Sequence, residues 1–179
     1  MTHGRPFRLP NYDYSQSGCY FVTFCTKDRA PVLSRISMPS DNLVGRDAYI
    51  AAPLSTLLPA GRILNQFIRN IPKVYDDVIL EHYVIMPNHV HLLLTIGNNN
   101  AAMLASRPTD VFGLTRTNPI SLSSIVRSLK ILTTKKYGQA VFQPSFHEHI
   151  IRNESDYLQC WQYIDNNPAK WTLDRYYSE

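Results

Sequence analysis

Cysteine is scarce in this chain, and its placement excludes two common classes of small domain. The three cysteines, Cys19, Cys25 and Cys160, form no CxxC pair, and their number is odd. A disulfide framework and a thiolate zinc site both need paired cysteines at regular spacing. We therefore expect reduced thiols and a cytoplasmic setting.

Long apolar runs and phosphate-binding loops are missing as well. No run of residues is apolar for long enough to span a bilayer, and residues 1–10 lack the apolar stretch of a signal peptide. The GxxxxGK[ST] pattern that cradles nucleotide phosphates does not occur. These absences predict a protein that does not use a membrane partner and does not depend on nucleotide hydrolysis.

Charge is present in moderation, with a small positive excess. Of the 179 residues, 18% are charged and 44% are hydrophobic, which is typical of one domain with a real core and not of a disordered chain. The net charge is +4 and the pI is about 9.0. A polyanionic partner is compatible with these values, although many basic proteins bind no polyanion.

Hydrophobic periodicity predicts the order strand, helix, strand, strand, helix, strand, helix. Pro72 is expected to bend or end the first helix, and Ser155 to cap the last one. The predicted ranges are 19–26, 60–75, 78–86, 89–96, 120–138, 141–153 and 154–168. This order is the βαββαβ pattern of an α+β, ferredoxin-like sandwich with an additional C-terminal helix.

Two segments lack a sustained period. Residues 28–59 contain several prolines and suit a surface excursion with a short hairpin, and residues 97–119 are rich in polar residues. We interpret both as surface insertions or loops within a single domain that covers residues 1–179.

The segment MPNHVHLLL places His89 and His91 two residues apart on the third predicted strand. Their side chains share one face of that strand with Leu93 and Thr95, and Val90, Leu92 and Leu94 share the other. Two imidazoles so placed can hold one divalent cation together with a third ligand. The alternative is a pair of half-buried strand histidines, and for an isolated HxH this alternative is the commoner one.

A second pair, His147 and His149, repeats the spacing on the fourth predicted strand. Four histidines can in principle form a zinc site. Glu148 between them and Arg152 after them favour a polar strand edge that contacts a partner.

Tyr163 and Asn167 lie four residues apart and so share one face of the last predicted helix. A tyrosine hydroxyl beside a polarised phosphate can act as a nucleophile, and an amide oxygen can ligate a metal. The chain has 11 tyrosines, so the alternative is that Tyr163 is an ordinary packing residue. A scattered set of basic side chains suits either solvated helix faces or contacts with a nucleic-acid backbone: Arg127, Lys130, Lys135, Lys136 and Arg152.

MPNHVHLLL and FHEHIIRNESDYLQCWQYIDNNPAKW together resemble the REP-associated tyrosine transposases, a branch of the single-tyrosine transposases with a histidine–hydrophobe–histidine (HUH) motif. In that branch, a strand ending in HxIR leads to a helix that carries YIxxNP. The resemblance extends from about Tyr20 to Trp171. It implies a ferredoxin-like fold, in agreement with the predicted order of elements.

The resemblance also implies a metal-dependent enzyme that cleaves and rejoins single-stranded DNA near palindromic hairpins through a 5′-phosphotyrosine intermediate. Tyr163 matches the nucleophile, and His89 and His91 match the ligands of a divalent metal, Mg²⁺ or Mn²⁺. Asn167 matches a polar metal ligand that is often glutamine in relatives. The candidate DNA-binding residues are Arg127, Lys130, Lys135, Lys136, His149 and Arg152.

The expected partner is therefore single-stranded hairpin DNA, bound by a monomer or a homodimer in the cytoplasm, in association with the nucleoid. One alternative is a catalytically weak or inactive domain of the same fold that binds hairpin DNA or RNA. Another is a small metal enzyme unrelated to nucleic acid, which would require His147 and His149 to join His89 and His91.

Overall fold

A computed structural model describes residues 17–37, 54–97 and 120–177 of the protein. The strands are β1 (Gly18–Cys25), β2 (Ser34–Ser37), β3 (Leu54–Leu57), β4 (Val78–Ile85), β5 (His89–Ile96) and β6 (His147–Ile151). The helices are α1 (Pro59–Arg69), α2 (Ile71–Val74), α3 (Leu122–Tyr137) and α4 (Glu154–Asn166), with single 3₁₀ turns at Lys27–Arg29 and Trp171–Leu173. Within these ranges, no helix is long and apolar enough to cross a membrane.

Four of the strands form an antiparallel sheet in the order β4-β5-β1-β6. Because β1, α1, β4, β5, α3 and β6 follow one another in the chain, this order is that of a ferredoxin-like sandwich, and α4 is the additional helix. The predicted fold class is thus confirmed. The central strands, β5 and β1, carry the candidate functional site.

The two faces of the sheet differ in chemistry. On one face, apolar residues of β1 and β5 are paired across the strands, and α1 and α3 cover them with Leu64, Ile68, Ile125 and Leu129 to form the core. The paired residues on this face are Tyr20–Leu94, Val22–Leu92 and Phe24–Val90. The opposite face carries His89 and His91, as the alternation of side chains along a strand requires.

The helix predicted over 60–75 is divided into α1 and α2 at Asn70, just before Pro72, which has no N–H to donate. The cap predicted at Ser155 is wrong, because Asn153 is the N-cap of α4 and its side chain accepts a hydrogen bond from the Asp156 N–H at 2.9 Å. Gly138 ends α3 in the left-handed region at φ 86°, where a side chain would be strained.

The strand predicted over 141–153 is too long, since β6 covers only His147–Ile151. Phe142 forms an isolated bridge with Thr26, and Pro144 interrupts the alternation before β6. Prolines break a strand ladder because they cannot donate a hydrogen bond, so the regular pairing begins only after Pro144.

The two predicted insertions are described in part. In the first insertion, β2 and β3 form an antiparallel hairpin, and residues 38–53 between them lie outside the described residues. In the second insertion, residues 98–119 lie outside the described residues. The start of the hairpin is tied to the core, because Leu33 is fully buried beside Gly61. A Cβ at Gly61 would lie 1.9 Å from the Leu33 carbonyl oxygen, so the close approach requires glycine.

Candidate metal and tyrosine site

The β5 pair, His89 and His91, lies in the middle of the sheet on the face away from the core. The side chains are 0% and 1% exposed, and their ring centroids are 4.7 Å apart. Strand alternation points both imidazoles to the same side, and the segment from α4 to Tyr177 covers that side. The structure therefore places two buried imidazoles side by side beneath the segment from α4 to Tyr177.

Neighbouring side chains orient both rings through their Nδ1 atoms. The Nδ1 of His89 lies 2.9 Å from the Asn88 side-chain oxygen, which only accepts, so this nitrogen carries the proton. Asn88 in turn donates to the Tyr176 carbonyl oxygen at 2.7 Å. The Nδ1 of His91 lies 2.7 Å from Thr23 Oγ1. Both Nε2 atoms are buried without a hydrogen-bond partner, which is the orientation that metal-ligating histidines adopt.

Burial keeps both imidazoles neutral at physiological pH. Desolvation lowers the pKa of His89 to about 4, and the positive charges of Arg29 and Arg175 act in the same direction, while Asp174 opposes them. Desolvation, His89 and Arg175 hold the pKa of His91 well below its usual value. A neutral imidazole has a free lone pair on Nε2, so both residues are ready to bind a cation without first losing a proton.

Two oxygen-bearing side chains complete the surroundings of the pair. The predicted ligand Asn167 is 3% exposed, and its side-chain oxygen is buried without a partner. Asp174, which was not predicted from the sequence, has a carboxylate oxygen within 4.8 Å of ligand atoms of both histidines. Two imidazole nitrogens with amide and carboxylate oxygens are a donor set that suits a divalent cation such as Mn²⁺. The residues present therefore fit the metal that the resemblance implies.

Tyr163 lies on α4 beside the same cluster. Its ring makes edge contacts with His91 and Phe21, at centroid distances of 5.1 Å and 5.9 Å, and its side chain is 42% exposed. The hydroxyl lies 3.5 Å from Asp174 Oδ2. Burial and the charge of Asp174 raise the pKa of Tyr163, whereas Asn167 and Arg175 lower it. The side chain is thus partly exposed to solvent, and its hydroxyl is protonated at neutral pH.

Polar contacts along β4 hold α4 in this position. His82 stacks on Trp161 at a centroid distance of 4.4 Å, and its Nε2 lies 2.7 Å from Asp165 Oδ1. One turn closer to the start of the helix, the Tyr157 hydroxyl donates to Glu81 at 3.4 Å. These contacts flank Tyr163 in sequence, so they limit rotation of the helix that carries it.

The β6 pair, His147 and His149, shares the face of the β5 pair but does not join it. Both side chains are exposed, and His149 Nε2 lies 2.7 Å from Asp156 Oδ1. Within the described ranges, the groups of side chains close enough together to hold a metal ion are His89–His91–Asp174 and, separately, His149–Asp156–Cys160. The four-histidine arrangement that a zinc enzyme unrelated to nucleic acid would require is therefore not formed.

The predicted DNA-binding residues fall in three places. Arg127, Lys130 and Lys135 line a groove of about 620 Å³ between α3 and residues 142–146. Lys136 points towards α1, where it donates to Gln66 Oε1 at 2.9 Å. Of the remaining two, His149 lies in the middle of β6 and Arg152 directly follows that strand.

Lys130 has a structural task inside the groove. Its ammonium group donates to the carbonyl oxygens of Gln143, Pro144 and Ser145, at 2.9, 3.3 and 2.7 Å. Desolvation lowers its pKa to about 8. Three bonds use all three of its donors, so Lys130 first stabilises the segment before β6, and its role in binding DNA stays a prediction.

A cleft of about 360 Å³ opens beside the β5 pair, and sequence reasoning missed most of it. Phe21, Arg29, His147, Arg175 and Tyr176 are among the residues that line it. No periodic pattern marks Arg29, which follows β1, or Arg175 and Tyr176, which follow the last 3₁₀ turn. Only the fold brings these distant segments together.

Comparisons with known proteins follow from this geometry. No family model matches the chain. An uncharacterized protein of Haemophilus influenzae is 33% identical over 188 residues, which cover 99% of this chain and 94% of the relative. Among solved structures, a REP-associated tyrosine transposase bound to a REP hairpin is similar with a TM-score of 0.55 and 22% identity, covering 95% of this chain and 74% of the other. This likeness shows a shared fold.

A putative transposase from Deinococcus radiodurans also matches, with a TM-score of 0.41 and 19% identity, covering 93% of this chain and 97% of the other.

Proposed function

We propose that this chain, which belongs to the same family as the Haemophilus influenzae relative and has the fold of the hairpin-bound transposase, is a metal-dependent single-stranded DNA transposase or endonuclease. It would cleave and rejoin DNA near hairpins through a 5′-phosphotyrosine intermediate. One observation carries the proposal: the Tyr163 hydroxyl, the two unpartnered Nε2 atoms of the β5 pair and the Asp174 carboxylate converge at one place.

The β5 pair would hold the metal, with Asn167 and Asp174 as oxygen ligands. Bound there, a divalent cation supplies a Lewis acid that polarises a phosphoryl oxygen. Asn88 and Thr23 keep the imidazoles turned so that each Nε2 faces the cluster. Burial keeps the imidazoles neutral, and hence available as ligands, throughout the physiological pH range.

Tyr163 would be the nucleophile. Because its pKa is raised, attack on phosphorus requires that the hydroxyl lose its proton, and this partly exposed side chain would release the proton to water, since Asp174 is assigned to the metal. A bond forms between the Tyr163 oxygen and phosphorus as the bond to the 3′-oxygen breaks, and the 3′-oxygen takes a proton from solvent. The reverse attack by a 3′-hydroxyl restores the strand, because the bond energy is kept in the covalent link.

The tyrosine and the β5 pair belong to one chain, with ring centroids of Tyr163 and His91 5.1 Å apart. This proximity supports a tyrosine that acts in its own subunit and a functional monomer. A homodimer that exchanges α4 would have to break the contacts of this helix with β4.

The test is incubation of labelled single-stranded hairpin DNA with the protein and Mn²⁺ or Mg²⁺, followed by denaturing electrophoresis. The protein should form a covalent adduct that Tyr163→Phe abolishes. Tyr137→Phe is the matched control, because this exposed tyrosine ends α3 on the other side of the sheet and its variant should keep the adduct. An equal yield of adduct from Tyr163→Phe would contradict the proposal.

The same gel tests the non-catalytic alternative. A binding domain with an inactive site would bind hairpin DNA or RNA with a steep salt dependence and would form no adduct with any metal. Because Asn167 has a shorter side chain than glutamine, Asn167→Gln is a useful companion: higher activity in this variant would identify the amide as the weak ligand.

A further inference from the structure

A second group of side chains with metal-binding chemistry lies where β6 leads into α4, apart from the β5 pair. His149 of β6 and Asp156 and Cys160 of α4 each offer a ligand atom, and these atoms lie within 4.8 Å of one another. His149 is exposed and the other two are partly buried, so a cation can reach them from solvent. The group combines an imidazole, a carboxylate and a thiol.

Regular structure holds the three ligand atoms close together. Asp156 and Cys160 are four residues apart on α4 and so share one face of the helix. The connection from β6 to α4 is short, and the Asp156 side chain accepts a hydrogen bond there from the Arg152 N–H at 3.2 Å. Asn153 caps the helix by accepting from the Asp156 N–H at 2.9 Å. Ligands on a strand and a helix joined in this way are well placed before an ion arrives.

His149 and Asp156 already form a contact that a cation could replace. The Nε2 of His149 lies 2.7 Å and 2.9 Å from the two carboxylate oxygens of Asp156. An ionised carboxylate only accepts, so this nitrogen carries a proton in the metal-free protein. A cation would take the place of that proton between the nitrogen and an oxygen. The fold therefore needs no metal here, but the contact is one that a metal can use.

The charges around the thiols favour a cation. Burial raises the pKa of Cys160 to about 11, and the negative charges of Asp156 and Cys19 act in the same direction. Burial also raises the pKa of Cys19, and Glu81 and Asp156 add to the increase. A negative potential that opposes a thiolate attracts a metal ion. Arg152, which acts on Asp156, is a positive group that opposes the ion.

We propose that His149, Asp156 and Cys160 form a site for a thiophilic divalent cation, Zn²⁺, with water in the fourth position. Zn²⁺ binds imidazole nitrogen, carboxylate oxygen and thiolate sulfur, and it takes four ligands in a tetrahedron. The Cys160 thiol releases its proton to solvent when it binds, since the thiolate is the ligand. Mn²⁺ and Mg²⁺ prefer oxygen ligands to sulfur, so the β5 pair and this site would take different ions.

The site differs from the metal sites considered from the sequence. It uses one histidine of the β6 pair and leaves out His147, and a single thiolate joins two ligands of other kinds, so paired cysteines are not required. A bound ion would tie the first turns of α4 to β6. Because Tyr163 lies about two turns further along α4, the ion would also restrain the helix that carries it.

The experiment titrates the metal-free full chain with Co²⁺, the spectroscopic substitute for Zn²⁺, in a reductant that is not a thiol and without DNA. Thiolate bound to Co²⁺ gives a sulfur-to-cobalt charge-transfer band in the near ultraviolet, which imidazole and carboxylate ligands do not give. We expect this band, and we expect excess Zn²⁺ to remove it by displacing the Co²⁺. Absence of the band would overturn the site.

Cysteine variants locate the band. Cys160→Ala should abolish it, and Cys25→Ala, which removes the thiol paired with His89 across β1 and β5, is the matched control and should keep it. Both changes replace a small side chain by another small apolar one. A band that survives Cys160→Ala and disappears in Cys25→Ala would place the cobalt at the β5 pair and reject the site.

Histidine variants test the imidazole ligand. His149→Gln should weaken the Co²⁺ binding that the band reports by about 10-fold or more, whereas His147→Gln, on the same strand, should leave it unchanged. Equal effects of the two substitutions would contradict the assignment. The site does not rest on the proposed DNA chemistry: absence of the cobalt band would reject this site alone, and absence of a DNA adduct would reject the tyrosine chemistry alone.

Discussion

The two histidine pairs have the same spacing and lie on the same face of one sheet, yet their surroundings are opposite. The β5 pair sits on a central strand, fully buried, with both Nε2 atoms lacking a partner. The β6 pair sits on an edge strand, exposed, and His149 is bonded to Asp156. Position in the sheet, and not spacing, separates a candidate metal site from a surface contact.

The physical reason is desolvation. A central strand covered on both faces excludes water from an imidazole, which lowers its pKa and leaves a lone pair that needs a cation or a hydrogen-bond donor. An edge strand leaves its imidazoles accessible to water and to nearby carboxylates, which satisfy the ring nitrogens without a metal. The following predictions test this contrast, from the largest expected effect to the smallest.

The strongest contrast is expected from removing one imidazole of each pair. His91→Ala should reduce Mn²⁺ affinity by more than about 100-fold and reduce DNA cleavage to background, because it would delete a proposed ligand and not merely a supporting group. His147→Ala should change Mn²⁺ affinity by less than about threefold, since His147 is outside the cluster. Isothermal titration with Mn²⁺ measures the affinity of both variants. Equal losses of affinity would contradict the difference between the β5 pair and the β6 pair.

Acid should destabilise the metal-free protein through the β5 pair. The folded pKa of His89 is about 4, below the value of 6.5 for an unperturbed histidine, so stability is full above pH 6.5 and falls between pH 6.5 and 4 as the unfolded chain takes up a proton. The loss from His89 is about 3 kcal/mol, and His91 adds to it in the same direction.

Urea unfolding in EDTA at pH 7 and pH 4.5 measures this loss. His89→Gln/His91→Gln should flatten the dependence on pH, and His147→Gln/His149→Gln should leave it as in the wild type. A pH dependence that survives removal of the β5 pair would assign the effect to other groups.

The carboxylates beside the two pairs provide a third comparison. Asp174→Asn should weaken Mn²⁺ binding about 10-fold or more, because a charged oxygen near both imidazoles is replaced by a neutral one. Asp156→Asn is the matched change beside the β6 pair and should leave Mn²⁺ binding unaltered. Electron paramagnetic resonance measures the bound Mn²⁺ in both variants. Unchanged Mn²⁺ binding by Asp174→Asn would indicate that Asn167, and not Asp174, is the third ligand.

The smallest effect is expected at the surface. His149→Ala removes the contact with Asp156, but the imidazole is more than half exposed at 54%, so the free energy of unfolding should fall by less than about 1 kcal/mol at pH 7. Thermal unfolding with and without 0.5 M salt, about the level at which surface charges are well screened, should show a difference that shrinks with salt. A much larger loss would mean that the β6 pair has a structural role.

Local patterns predicted the elements better than their ends. The strand over 89–96 was predicted with its observed bounds, because the Pro-Asn turn and the alternation both mark its start. The predicted start of β6 is wrong because residues 141–146 alternate in part without pairing in a ladder. The predicted N-cap of α4, Ser155, is also wrong, because the N-cap is Asn153.

By itself, the sequence determined the order of strands and helices, the shared face of His89 and His91, and the helical position of Tyr163, because these follow from periods of two and 3.6 residues along the chain. Only the tertiary structure decided which histidine pair is buried, that Asp174 stands beside it, and that Arg29 and Arg175 meet over Tyr176. Strand order and the packing of α4 set these contacts, and they join residues too far apart in the chain for any local period to relate them.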